Sequence, residues 1–244
     1  MATIRLTIEY DGSRYAGWQR QRDRPTVQAA IEAALQQITQ TDISVVGAGR
    51  TDAGVHALGQ VASFRTDITF SSREWIKALN AVLPPDISIK AAQEVADNFH
   101  ARYSARAKLY RYRILNRPER SALELRRAWH IRGRLNLIAM REAVAALVGR
   151  HDFSSFQGSL TDAKDPICHL SMLEITQVQA IVRIELQADR FLKQMARAIV
   201  GTLVEVGLAK RSPETIKAIL AAGDRRTAGK TAPAHGLYLV RVEY

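Results

Sequence analysis

The spacing of apolar residues changes period along this chain, and it does so in a similar way in both halves. Ile4, Leu6, Ile8 and Tyr10 alternate with Arg5, Thr7 and Glu9, a period of two that predicts a half-buried strand. Asp11-Gly12-Ser13 ends it with turn-forming residues. After Pro25-Thr26 the period lengthens, so that Val27, Ile31, Ala34, Leu35 and Ile38 share one helix face. Strands are expected over 42–46 and 60–65. Ser71 and Glu74 have the spacing of a capping box; the helix behind them turns Trp75, Ala78, Leu79 and Val82 inward until Pro84-Pro85 stops it. A strand over 87–95 follows. The second half opens with a strand over 109–115 that carries Tyr110 and Tyr112 on one face. A helix over 137–148 is capped by Asn136 and closed by Gly149. Strands over 170–178 and 181–188 precede a long helix over 191–206, striped by Phe191, Met195, Ile199 and Val206. A short helix over 213–221 and a strand over 236–243 end the chain. Hairpin-like strands mixed with helices in each half predict an α+β fold. The domains divide at 1–104 and 105–244. No internal repeat is legible from residue identity.

At 244 residues the chain is long enough for two domains or one large one. Its 35 Lys and Arg against 24 Asp and Glu give a net charge of +11, which favours a polyanionic partner, because neutralising phosphates releases counterions. The single cysteine, Cys168, excludes an intramolecular disulfide and a cysteine-based zinc site. The N-terminus does not resemble a signal peptide, and no apolar run approaches the roughly 20 residues that cross a bilayer. The expectation is a soluble, cytoplasmic protein with no membrane association.

Residues 47 to 60, GAGRTDAGVHALGQ, concentrate the chemistry. Gly47-Ala48-Gly49 begins like a dinucleotide-binding turn, but Asp52 stands where the third glycine belongs and would aim a carboxylate at a pyrophosphate. No P-loop Gly-Lys-Ser/Thr follows. The segment reads equally well as an irregular connection whose glycines permit tight turns, or as a mount that holds Asp52 exposed. In the second reading Arg50, close in sequence, keeps the carboxylate ionised, fit to serve as nucleophile or base. His56 reads as a hydrogen-bonding scaffold residue rather than a catalyst. No His-x-x-x-His or carboxylate cluster accompanies it, so no metal is expected. Taken alone, the local residues leave catalyst and simple turn level.

Gly49-Arg50-Thr51-Asp52-Ala53-Gly54-Val55-His56 resembles the catalytic motif of the tRNA pseudouridine synthase A family. The similarity continues through Ile8-Glu9-Tyr10-Asp11-Gly12, Tyr15-Ala16-Gly17-Trp18-Gln19, Phe99-His100-Ala101-Arg102, Ser104-Ala105, Tyr110-Arg111-Tyr112 and His151-Asp152-Phe153-Ser154-Ser155-Phe156. It extends to Phe191-Leu192, Met195, Arg197, Val200-Gly201, Thr231-Ala232-Pro233-Ala234 and Gly236-Leu237. The chain departs from the family's commoner residues at Lys108-Leu109, at Ala196 and at Cys168-His169.

The resemblance implies conversion of uridine to pseudouridine in the anticodon arm of tRNA, with Asp52 as catalyst and no cofactor. It maps the family's base-stacking tyrosine to Tyr110 and an arginine that pairs with the carboxylate to Arg197, and it keeps Arg50 at the substrate. Without the family, Tyr110 and Tyr112 read as core packing, and Arg197 as a solvated helix residue. The resemblance also implies two similar domains, each a mixed or antiparallel sheet with helices packed on one face, an active-site cleft between them, and a homodimer. Extruding a base costs about a few kcal/mol, which contacts to the RNA backbone must offset. Arg14, Arg20, Arg22 and Arg24 form one basic run, and Arg102, Arg106, Lys108, Arg111, Arg113, Arg117 and Arg120 another; both are candidate phosphate contacts. A noncatalytic RNA-binding module is the rival that the basic runs and tyrosines equally support.

Overall fold

The computed structural model describes residues 1–158 and 165–244. In chain order its elements are β1 (Ala2–Tyr10), α1 (Val27–Thr39), β2 (Val46–Gly47), β3 (His56–Thr66), α2 (Ser72–Val82) and β4 (Ile87–Val95), followed by β5 (Ala107–Asn116), β6 (Trp129–Ile131) and α3 (Leu137–Val144). Then come β7 (Gly149–Asp152), β8 (Ile167–Val178), β9 (Ile181–Ala188), α4 (Met195–Gly207), α5 (Thr215–Ala222) and β10 (Leu237–Glu243). Strands and helices mix within each half of the chain, so the class is α+β, as the alternating periods predict. Among the described residues no helix is long and apolar enough to cross a membrane.

The residues form two compact units, one of Met1–Arg106 with Tyr238–Tyr244, the other of Ala107–Leu237. The expected single cut between 104 and 105 therefore differs from the observed division at the C-terminus. There β10 returns to the first unit and pairs parallel to β3, setting Tyr238 opposite His56 and Leu239 opposite Ala57. Sequence periodicity shows that a strand ends the chain, but not which sheet receives it.

In the first unit β1 lies antiparallel between β3 and β4. Ile4, Leu6, Ile8 and Tyr10, the expected buried face, are all at most 3% exposed, and each fully buried side chain of this kind contributes about 1.5–3 kcal/mol. On α1 the buried residues are Val27, Ile31, Ala34 and Leu35. On α2 they are Trp75 and Leu79, with the Trp75 ring edge-on to Phe64 of β3 at 5.3 Å. Ala78 and Val82 are only half-buried. The strand expected over 42–46 is reduced to Val46–Gly47, which pairs with Ser63 and Ala62, because the preceding residues run as an irregular connection.

The capping box of α2 is present in full. Ser71 Oγ accepts from Glu74 N at 3.3 Å and Glu74 Oε2 accepts from Ser71 N at 2.7 Å. Donation to Glu74 Oε2 from the Ser71 hydroxyl, at 2.7 Å, and from Ser71 N holds the Glu74 carboxyl below its ordinary value. Ser71→Ala is therefore expected to cost about 1 kcal/mol, measured as a lower urea midpoint with an unchanged m-value.

In the second unit β5, β9, β8 and β7 form an antiparallel series, with β6 parallel to β5. The short strands β6 and β7 escape sequence reading because three or four residues show too little periodicity. The helix expected over 137–148 ends at Val144, although Asn136 caps it as predicted through its Oδ1, which accepts from Ile138 N and Ala139 N at 3.1 Å each. The helix expected from residue 191 starts instead at Met195, because Gln194 takes a left-handed conformation with φ 60°. Helix α4 is buried nearly all round, at Met195, Ala198, Ile199, Val200 and Leu203 among others.

Candidate active site

Asp52 sits in the connection from β2 to β3, half-buried, on a backbone held from both sides. Tyr10, at the end of β1, brings its hydroxyl within 2.8 Å of Thr51 Oγ1. The Thr51 carbonyl accepts from Trp18 N at 3.1 Å, and Gly54 N donates to the Tyr15 carbonyl at 3.3 Å. Gln60 Nε2 donates to the Gly49 carbonyl at 2.9 Å, and Val55 N closes a turn on the Asp52 carbonyl at 3.1 Å. Burial pushes the Tyr10 phenol well above its ordinary range, against the opposing hydrogen bonds of Thr51 and Gln60, so it stands as a neutral hydroxyl. The loop is thus held from several sides by hydrogen bonds from Tyr10, Trp18, Tyr15 and Gln60.

The close approach of residues 11–18 depends on two glycines. A Cβ on Gly17, whose φ is +102°, would meet the Thr51 carbonyl oxygen at 2.5 Å, and one on Gly12 would meet the Val55 carbonyl oxygen at 1.9 Å. Only a residue without a side chain brings these two segments together.

His56 is scaffold, as the sequence suggests. It is 2% exposed, its ring stacks on Tyr238 at 4.7 Å, and its Nδ1 accepts from Gly12 N at 3.1 Å. The Asp11 carboxylate stands 3.1 Å from the same nitrogen while accepting from Ser13 N. Arg50, expected close to the carboxylate, has Gln19 as a hydrogen-bond partner. It is exposed, and its Nε donates to Gln19 Oε1 at 3.1 Å.

Tyr110 lies on β5, 6% exposed, with Phe191 edge-on to its ring at 4.8 Å. Tyr112, on the same strand face, is fully buried; its hydroxyl donates to the Pro233 carbonyl at 2.7 Å. Burial raises the Tyr112 phenol, and the charge of Arg197 opposes that shift, which places Arg197 in electrical reach of the tyrosine strand. Arg197 is half-buried on the first turn of α4. Its Nε donates to the Ala232 carbonyl at 2.8 Å, and Ala232 N donates back to the Arg197 carbonyl at 3.0 Å. That two-way clasp orients the guanidinium from the backbone of 231–234, a segment the sequence reading matched without assigning it work.

The basic runs contain both residues paired with acids and residues exposed to solvent. Arg111 pairs with Glu185 at 2.6 Å and Arg113 with Glu124 at 2.8 Å. Arg20 pairs with Glu32 at 2.9 Å, and Arg14 lies 3.9 Å from Asp86 with its side chain 79% exposed. Arg22, Arg24, Arg102, Arg106, Arg117 and Arg120 are exposed, whereas Lys108 is half-buried. Sequence clustering does not distinguish these groups, since the acids that engage Arg111 and Arg20 come from β9 and α1.

What the sequence reading missed is the clasp around Asp52: Tyr10, Trp18 and Gln60. A signal was available for Tyr10 and Trp18, since both fall in the matched opening blocks. Gln60 gave none, being one polar residue at the start of an apolar strand.

A family profile described as tRNA pseudouridine synthase matches residues 6–104 and 143–244. Over their full lengths, this chain and "tRNA pseudouridine synthase A" of Acetivibrio thermocellus are 45% identical across 244 residues. The protein of the same name from Moorella thermoacetica is 47% identical across 246 residues, again with both chains covered entirely. That of Syntrophotalea carbinolica is 45% identical, covering all of this chain and 97% of the relative. With its matched segments spanning the Asp52 loop, the tyrosine strand's neighbours and helix α4, the chain belongs to the tRNA pseudouridine synthase family.

Proposed function

We propose that this chain isomerises uridine to pseudouridine in the anticodon arm of tRNA, with Asp52 as the catalytic carboxylate. The observation that carries the reading is the clasped loop, which presents one carboxylate at the family's motif position on a backbone that Tyr10, Trp18 and Gln60 hold still. Preorganisation of this kind is what positions a reacting group.

The reaction balances without any added atom. The N1–C1′ bond breaks, uracil turns, a C5–C1′ bond forms, a proton leaves C5 and N1 gains one. A carboxylate serves this chemistry by attack at C1′ or C6, or by assisting a glycal route. Tyr110 is assigned to the extruded base and Arg197 to the reacting carboxylate's charge; both roles rest on motif position. On this reading two copies of the chain grip one tRNA, in the cytoplasm.

Tritium release from tRNA labelled at uridine C5 tests the activity, because that proton must leave. Wild-type protein that releases none from any unmodified tRNA sinks the proposal. Phosphate contact is assigned to the exposed Arg22, Arg24, Arg102 and Arg106 rather than to the engaged Arg111. Arg24→Ala is expected to weaken tRNA binding and to lower the slope of log affinity against log salt by about one. Arg111→Ala is expected to leave that slope unchanged.

A further inference from the structure

Tyr103 is the most exposed aromatic residue in the first unit, at 77%, yet it is not a loose side chain. Residues 100–104 form a turn closed by Ser104 N on the His100 carbonyl at 2.9 Å. Inside it, His100 Nδ1 accepts from both Arg102 N and Tyr103 N at 3.2 Å. That fixes the imidazole, and the Tyr103 ring stacks on it with centroids 4.3 Å apart and planes 29° apart. The Arg102 guanidinium lies over the Tyr103 ring, its Cζ 5.7 Å from the centroid. An isolated exposed hydrophobic residue needs no explanation, but a ring ordered by stacking and a cation, with most of its surface left open, is a prepared surface.

The turn is fastened to the base of the catalytic loop. Ala101 is fully buried against Ala48 and Val61, its N–H donates to Ser63 Oγ at 3.3 Å, and its carbonyl accepts from the Tyr244 hydroxyl at 2.8 Å. Ala48 lies four residues before Asp52 in the chain. The turn that carries the ring is thus anchored on the strand pair that leads into the Asp52 connection.

We infer that Tyr103, backed by His100 and flanked by Arg102, is a stacking platform for an unpaired base of the RNA substrate other than the reacting uridine. The inference rests on the proposed tRNA activity and names a positioning residue for it. A tyrosine face accepts any base, and the exposed Arg102 and Arg106 supply attraction for the adjoining phosphates. Charge favours a nucleic acid over an apolar protein segment as the occupant.

The experiment compares wild type, Tyr103→Ala and Tyr103→Phe with unmodified tRNA, and follows the fluorescence of Tyr103→Trp. Tyr103→Ala is expected to raise KM about ten-fold with kcat unchanged, and to melt like wild type because the lost ring is exposed. Tyr103→Phe keeps the stacking face and is expected to stay within about two-fold of wild type. The indole of Tyr103→Trp is expected to be quenched on adding tRNA. A wild-type KM in Tyr103→Ala, or a Phe variant as impaired as the Ala variant, overturns the platform. Wild-type protein that forms no pseudouridine refutes the activity instead, and the tRNA quench then decides the platform: quenching supports it and an unchanged signal overturns it.

Discussion

Replacing Asp52 with Asn is expected, on its proposed role, to stop pseudouridine formation: turnover should fall by about 10³-fold or more, while tRNA affinity stays within about three-fold of wild type. The amide keeps the size and one acceptor of the carboxylate but can neither attack carbon nor take a proton. The loop survives the change, because the bonds that hold Gly49, Thr51 and Gly54 in place run from Gln60, Tyr10, Trp18 and Tyr15 and do not use the carboxylate. Binding is expected to survive because the proposed phosphate contacts are exposed arginines elsewhere. Tritium release with uridine-labelled tRNA measures the first quantity and filter binding the second. An Asn variant that still forms pseudouridine removes Asp52 from the catalytic role. A variant that loses binding and turnover together shows that the carboxylate is part of the RNA surface instead.

Gly12→Ala is expected to have the second-largest effect, although residue 12 carries no chemistry. Its new Cβ would stand 1.9 Å from the Val55 carbonyl oxygen, a backbone atom that no side-chain rotation can clear. Residues 11–13 or the turn after Asp52 must therefore shift. Overpacking of this kind costs about 1–3 kcal/mol, and each kcal/mol lowers Tm by about 2–4 °C for a chain of this size. The bond from Gly12 N to His56 Nδ1 is strained by the same movement. A displacement near 1 Å at the carboxylate costs about 10²-fold in turnover. Ser13→Ala is the control, since Ser13 Oγ is buried without a hydrogen-bond partner, and it is expected to retain wild-type Tm and activity. A Gly12→Ala protein with wild-type Tm and turnover would refute the close approach.

These two residues show how unevenly the site was legible. Asp52 is conspicuous in the sequence because a carboxylate stands where a nucleotide loop needs glycine, and because the flanking Gly49-Arg50-Thr51 and Ala53-Gly54-Val55-His56 match a family motif. Gly12 is legible as a turn residue after a strand and as the end of a matched block, neither of which says what it must admit. Its work lies in a contact with Val55, forty-three positions away, and no local pattern records which distant backbone a glycine must admit. Arg50 has a partner that proximity does not single out, since its Nε donates to Gln19 Oε1, thirty-one positions away.

The same division runs through the fold. Periodicity and caps by themselves determined that β1, α1, α2, β4 and β9 exist, since a buried strand face repeats every two residues and a helix face every three or four. They also determined the α+β class, whereas Asp52 was singled out by its motif resemblance and not by any period. Tertiary structure alone decided that β10 joins β3, that Gln194 delays α4 to Met195, and that Arg111 and Arg20 are engaged by acids from other elements. It alone made the Asp52 connection a clasped mount, with Tyr10, Trp18 and Gln60 as its holders. The physical reason is common to all of these. Periodicity records which side of an element meets the core, whereas strand partners, ion pairs and backbone clasps depend on which distant groups the packed chain brings within hydrogen-bonding reach.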